Sequence, residues 1–249
     1  MTVEIEGPTL RDFGNSAHRV RARRALPAPE PWELEVLRLL AEQQAIPFDQ
    51  LARFLDCDEG QTESIVKHLT KRGCGDYGRF LADEPRWAWP TWRGMRLSGI
   101  GFRAEPPRLG AMARIRAVNE VRLHIARRAP EARWVCGRSV LRAQGTRGYR
   151  PNAVVEIGGE RHALLVRFWA TNQERTLAIL ETHMARYDAV IAFANRGPRA
   201  LLERLKAEHP WPKLIIRAIP QPPLNVNANR DPARHGSPPG ISAAEGGTK

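Results

Sequence analysis

The sequence has little cysteine: three residues, Cys57, Cys74 and Cys136, far apart and without a C-x-x-C pair. That spacing excludes a disulfide scaffold and favours a reducing, cytoplasmic home. No apolar run approaches the ~18 residues a membrane span requires, so no membrane partner is expected. The first seven residues carry Glu4 and Glu6 and no apolar block, unlike a secretory leader. Phosphate-loop and G-x-S-x-G patterns are missing, and no internal repeat is found. Cys57, His68 and Cys74 supply too few suitably spaced ligands for zinc, and no other cofactor is indicated.

What is present in excess is arginine. The 249 residues carry a net charge of +12. Residues 86–150 hold fifteen arginines against three acids, a surplus equal to that of the whole chain, whereas residues 32–85 are net negative. Arginine's planar fork matches phosphate oxygens, so a concentrated block of it is the footprint of a polyanion binder. The alternative is a solvated face.

Residues 1–31 read as an irregular arm, with Arg19, Arg21, Arg23 and Arg24 clustered before Pro27, Pro29 and Pro31. The arm either lies on phosphates or is disordered. Trp32, Val36, Leu39 and Leu40 then recur with helical spacing; Pro47 sits where a first helical turn tolerates it, and Phe48, Leu51, Phe54 and Leu55 continue that spacing. A turn at residues 56–60 leads into a third helix, Gln61 to Arg72, with Ile65, Val66 and Leu69 inward and Gly73 as its stop. Two strand-like runs, residues 77–81 and 86–89, flank the turn Asp83–Glu84–Pro85. Trp87 and Trp89 share one strand face and are expected in its core.

Gly99 to Gly110 reads as a linker, with 99–108 as the boundary segment. A long helix is expected over Leu109–Arg128, ended by Pro130. Strands follow over residues 132–140, 152–157 and 161–169, with Gly158–Gly159 as a hairpin turn. Residues 173–187 read as helix, 189–194 as a strand buried on both faces, 198–208 as helix and 213–219 as strand. From residue 220 the chain is rich in Pro, Asn, Gly and Ser and reads as a disordered tail. Late alternation of strands and helices requires crossover connections, hence a mixed, helix-covered sheet and an α/β (α+β) class.

Three short helices and a hairpin over residues 32–98 resemble a winged helix-turn-helix. The string WAWPTWRGMRLSG, residues 87–99, resembles the close of many bacterial winged-helix domains, where an aromatic strand leads into a Thr-x-x-Gly turn. In such a domain the third helix would meet base edges with Gln61, Thr62, Ser64 and Lys67, and phosphates would be met by Lys71, Arg72, Arg86 and Arg93. Use for dimerisation or a protein partner is the competing reading. The order of elements over residues 109–219 resembles the core of the PD-(D/E)XK nuclease-like fold. There a Pro-Asp opens the second strand and an acidic-x-Lys triplet lies on the third, holding Mg²⁺ and positioning water. Here those positions read Pro151–Asn152 and Leu165–Val166–Arg167. Glu156 is the one nearby carboxylate that could substitute. His124 reads as an ordinary half-buried helix residue.

Together with VNEVRLHIARR (118–128), RPNAVVEIGG (150–159) and YDAVIAFANR (187–196), the chain resembles the replication-relaxation family of bacterial mobile elements. Trp134, Pro151, Ala153, Val154, Val155 and Tyr187 carry that likeness, which spans Trp32 to Ile219. The resemblance implies a protein of plasmid or integrative-element replication, mobilisation or regulation that binds double-stranded DNA. The departures at Asn152, Leu165 and Arg167 imply a pseudoenzyme. The alternatives are a divergent metal nuclease using Asn152, Glu156 and Arg167, and a scaffold recruiting a relaxase or replication initiator. A homodimer is compatible with either.

Overall fold

A computed structural model describes residues 27–144, 149–167 and 172–221. The tail expected from residue 220, beyond Gln221, and the arginine cluster at 19–24 lie outside the described residues. Among the described residues no helix is long and apolar enough to cross a membrane. The chain is mixed α/β and divides between Arg108 and Leu109 into two compact units.

The first unit starts with α1 (Pro31–Gln43). Pro31 does not break this helix; it stands in its first turn, where a missing N–H costs nothing. The buried stripe is Val36, Leu37 and Leu40, so Leu37 takes the core place expected for Leu39, which is half-buried. Ile46–Pro47 form a short strand, β1, where helical spacing predicts a helix. Pro47 has no N–H to give a ladder and sits at this sheet edge before α2 (Phe48–Leu55). Helix α3 (Glu59–Lys71) opens two residues earlier than expected, because Asp58 caps it. The Asp58 carboxylate accepts from the Gln61 N–H at 2.7 Å, and the Gln61 side chain accepts from the Asp58 N–H at 3.1 Å.

Strands β2 (Gly75–Gly78) and β3 (Trp87–Pro90) pair antiparallel, and β1 adds on the other side of β3. The expected pairing of residues 77–81 with 86–89 is displaced: Tyr77 faces Ala88 and Gly78 faces Trp87. Trp87 is fully buried, as its inward strand face requires; Trp89 packs on Phe80 at 5.6 Å between centroids. Helix α4 (Trp92–Leu97) is capped by Thr91, whose hydroxyl accepts from the Gly94 N–H and donates to the Gly73 carbonyl. This gives the Thr-x-x-Gly turn its physical content. A Cβ at Gly94 would stand 1.8 Å from the Cys74 carbonyl oxygen.

The second unit starts with α5 (Leu109–Arg128), then β4 (Arg133–Cys136) and α6 (Gly137–Gln144). The strand expected over 132–140 therefore stops at Cys136. The backbone turns there because Gly137 abuts the next strand: a Cβ on it would lie 2.5 Å from the Pro151 carbonyl oxygen. Strands β5 (Ala153–Ile157) and β6 (Glu160–Arg167) form a hairpin over Gly158 and Gly159, both at positive φ. Helix α7 (Gln173–Met184), β7 (Ala189–Ala194), α8 (Arg196–Glu208) and β8 (Leu214–Ala218) complete the unit.

The sheet runs β4-β5-β6-β7-β8 in spatial order; the first three strands are antiparallel and the last three parallel. Each face carries its own core. Val154, Ala163, Leu165, Val190 and Ala192 pack with Ile179, Leu180, Leu202 and Leu205 of α7 and α8. Val155, Leu164, Val166 and Phe193 pack with Ala117 and Val121 of α5.

Gly94→Ala is expected to destabilise the first unit on the order of 3 kcal/mol or more, since backbone must move to admit the methyl. Gly110→Ala, exposed in the first turn of α5 with open space around it, is expected to change stability by about 0.5 kcal/mol or less. Urea unfolding of the two variants checks the contrast.

Candidate nucleic-acid interface

Helical spacing on α3 puts Val66, Leu69 and Thr62 inward and leaves Gln61, Ser64, Lys67, His68 and Lys71 exposed along one outer face. Thr62 is thus no base-reading residue. It is fully buried, and its hydroxyl donates to the Asp58 carbonyl and touches the Cys57 thiol. Gln61 is exposed but shares its side chain with the cap, and the Ser64 hydroxyl donates to the Gly60 carbonyl at 2.9 Å.

The bases divide into engaged and open. Arg86 gives both its terminal nitrogens to Glu63, at 2.9 and 2.6 Å, and lies 4.9 Å from the centre of the Phe48 ring. Lys67 reaches the same carboxylate at 2.8 Å. Bonds from Arg86 first and Lys67 second hold the Glu63 carboxyl down at about 2. Arg72 is largely buried and is also withdrawn from the surface set: it pairs with Glu33 at 3.2 Å and donates to the Pro27 carbonyl at 2.6 Å. Lys71 and Arg93 remain exposed.

Glu33 carries no signal of its own in the sequence pattern. It is 1% exposed in the first turn of α1, in step with Val36, Leu37 and Leu40 on the core stripe. Burial alone would raise its pKa. The Glu30 N–H, His68 and Arg72 outweigh that and hold it below the usual carboxylate value. His68 is a partner of Glu33, and no group of three or more His, Cys, Asp or Glu residues suited to a metal occurs among the described residues.

The arginine block of residues 86–150 is split by the unit boundary: Arg86, Arg93, Arg96, Arg103 and Arg108 belong to the first unit and the others to the second. Some are neutralised locally. Glu105 holds Arg103 at 3.0 Å, and Glu156 holds Arg133 at 2.6 Å.

In the second unit the register brings the nuclease-like positions together. Asn152 precedes the Ala153–Leu164 pair, so it stands opposite Leu165, and Arg167 follows two residues on along the same face. The side chains do not make a cation site. The Asn152 oxygen accepts from the Val166 N–H at 2.8 Å, while its backbone bonds Leu164 and Gly137. Leu165 is core, 3% exposed. Glu156 is not a substitute carboxylate either: it is clasped between Arg133 and Arg161 on the neighbouring strands. A hard dication with one already bonded amide oxygen and no carboxylate is not held.

Two further residues of this unit are notable. His124 packs edge-on to Phe193 at 6.2 Å, and burial, with Arg128 and Arg127 nearby, lowers its pKa. His183 is 1% exposed, and neither ring nitrogen has a hydrogen-bond partner among the described residues. Its place with Thr176, Ile179 and Leu180 on the inner stripe of α7 is the sequence signal that could have found it. Burial first, then Arg167 and Arg186, push its pKa down to about 4.

A folded-state value below the unfolded one means the native ring stays neutral while the unfolded chain takes up a proton. Stability is therefore expected to fall as pH drops from about 6.5 to 4, by about 3 kcal/mol in all from this residue. Urea unfolding at stepped pH checks it, with His183→Leu flattening that window. In comparison with known proteins, the chain matches no protein-family model and no curated protein.

Proposed function

We propose that this protein is a non-catalytic DNA-binding protein serving the replication, mobilisation or regulation of a plasmid or integrative element. In this reading the first unit is a winged helix, with α3 as its recognition helix and β2–β3 as its wing. The second unit is a nuclease-like domain that has lost its metal ligands. One observation carries the proposal: the outer face of α3 is a continuous polar and basic strip, Gln61, Ser64, Lys67, His68 and Lys71, with its apolar residues on the opposite side. Such a strip supplies donors for base edges and charge for phosphates. The order α1-β1-α2-α3-β2-β3 supports the winged-helix reading. The meander β4-β5-β6 followed by parallel β7 supports the nuclease-like one.

A protein scaffold that recruits a relaxase or replication initiator is the second reading. It is favoured by Trp92 and Leu81, which stand 64% and 49% exposed in the first unit, and by the consumption of Arg72 and Arg86 in internal ion pairs.

Mobility-shift titration of duplex DNA at two salt concentrations separates these readings. Binding is expected to weaken steeply with salt, because neutralised phosphates release counterions. Lys67→Ala with Lys71→Ala is expected to reduce both affinity and salt slope, by about one unit of slope for each phosphate no longer neutralised. Glu63→Gln, which releases Lys67 and Arg86 from a carboxylate, is expected to do the reverse. No binding at low salt selects the scaffold.

Incubation of supercoiled and linear DNA with Mg²⁺ or Mn²⁺ is expected to leave both intact. Cleavage that disappears in Asn152→Ala and Glu156→Ala would establish the nuclease alternative instead.

A further inference from the structure

Six of the seven tryptophans lie among the described residues, and five of them are used within the fold. Trp87 is fully buried. Trp32 tilts against His68 and donates to Glu30, Trp89 packs on Phe80, Trp134 lies under Arg122, and Trp211 stacks on His209. Trp92 is the exception. It stands 64% exposed in α4, and no ring or cation packs on its indole among the described residues.

The surroundings of Trp92 are fixed and cationic. The Thr91 hydroxyl donates to the Gly73 carbonyl at 2.7 Å, and the Thr91 N–H donates to the Cys74 carbonyl at 3.0 Å. These bonds hold the Trp92 end of α4 against the end of α3, two residues beyond Lys71. Arg93 follows Trp92, beside the Cys74 thiol, whose pKa burial raises, so the thiol offers it no charge. Arg96 stands four residues on from Trp92, along the same side of the helix. Lys71, Arg93 and Arg96 are exposed, and none has a carboxylate partner among the described residues. Leu81, the other large apolar side chain exposed in this unit, follows the Gly78–Trp87 pair, whereas Trp92 follows the Gly75–Pro90 pair. The two stand at opposite ends of the β2–β3 ladder and do not form one apolar patch.

We propose that Trp92, with Arg93 and Arg96, binds an unpaired nucleotide: its base stacks on the indole and its phosphate meets the guanidiniums. An exposed aromatic plane beside cations fits that chemistry, because every base has a face to stack and every linkage a charge. A protein hot spot differs, since its aromatic anchor sits within a ring of contacts that exclude water. Here the neighbours are exposed arginines. Bases inside a duplex are already stacked on one another, so the ligand is a strand with unpaired bases. The inference rests on the reading that the protein meets DNA and deepens it. A duplex along α3 would continue, at the Lys71 end, into an unpaired strand over α4.

The test uses the full chain and fluorescence anisotropy. The probes are a blunt duplex, the same duplex with a short unpaired thymidine tail, its abasic-tailed counterpart, and the tailed strand alone. The thymidine-tailed duplex is expected to bind roughly tenfold tighter than the blunt one, the worth of one stacked base, and to quench tryptophan emission. Trp92→Ala is expected to abolish the tail preference and to leave blunt-duplex affinity and the urea midpoint unchanged. Trp92→Phe keeps an aromatic plane and is expected to retain most of the preference while losing the quenching. Trp92→Leu keeps only apolar bulk and is expected to lose both. Arg93→Gln with Arg96→Gln is expected to weaken tail binding and lower its salt slope. Equal affinity for tailed and blunt duplexes, a preference that survives Trp92→Ala, or an abasic tail bound as tightly as the thymidine tail overturns the proposal. Self-association that Trp92→Ala abolishes, without any tail preference, assigns the residue to a protein interface and overturns it as well. Blunt-duplex binding without tail preference leaves the reading of α3 standing and removes this one. Trp92-dependent binding of the tailed strand alone, without blunt-duplex binding, does the reverse.

Discussion

A guanidinium buried against a carboxylate is committed to the structure; only one left facing solvent is free to meet an anion. That pairing rule sorts the basic residues of this chain. Glu33 is the clearest case. A single acid on the core stripe of α1 takes Arg72 and His68 from α3, and so fixes how α3 lies on α1 while removing one cation from the surface. Glu63 does the same for Arg86, tying the foot of β3 to α3 with a bidentate bond stacked on Phe48. Removing Arg72 would strand the Glu33 charge in a buried place, which costs far more than a surface pair is worth. The count of 39 Lys and Arg residues therefore overstates what a ligand meets, and the local pairings decide where the net +12 lies.

Much of the fold was legible because its signals are local. Gly73, Gly158 and Gly159 sit where positive φ is needed, and α5 and β7 occupy the residues their apolar patterns mark. Two of the misreadings share a cause, a residue distant in sequence. Strand β4 stops at Cys136 because Gly137 touches Pro151 and Asn152, fourteen and fifteen residues away in sequence. Pro47 joins a strand because Trp87 and Ala88 are there to receive β1. Leu37 rather than Leu39 is buried because Glu33, not Trp32, sets the inward face of α1.

Candidate site residues were less legible still. Polar residue types near the start of a helix suggest readout, yet the same types make caps. Gln61 and Thr62 are both used in that second way, one exposed and shared with the cap, the other buried beneath it. Sequence spacing puts Asn152, Leu165 and Arg167 in family-like positions, and the strand register does align them. What spacing does not carry is whether a side chain is free. Asn152 is spent on the Val166 N–H, and Glu156 on two arginines.

These two facts bear on each other. A carboxylate at Asn152 would also accept from Val166, but it would bring a charge onto a sheet face that carries Leu165 and Ala163. The amide makes that backbone bond without adding a charge. The aligned register therefore brings no carboxylate to these two positions for a hard cation.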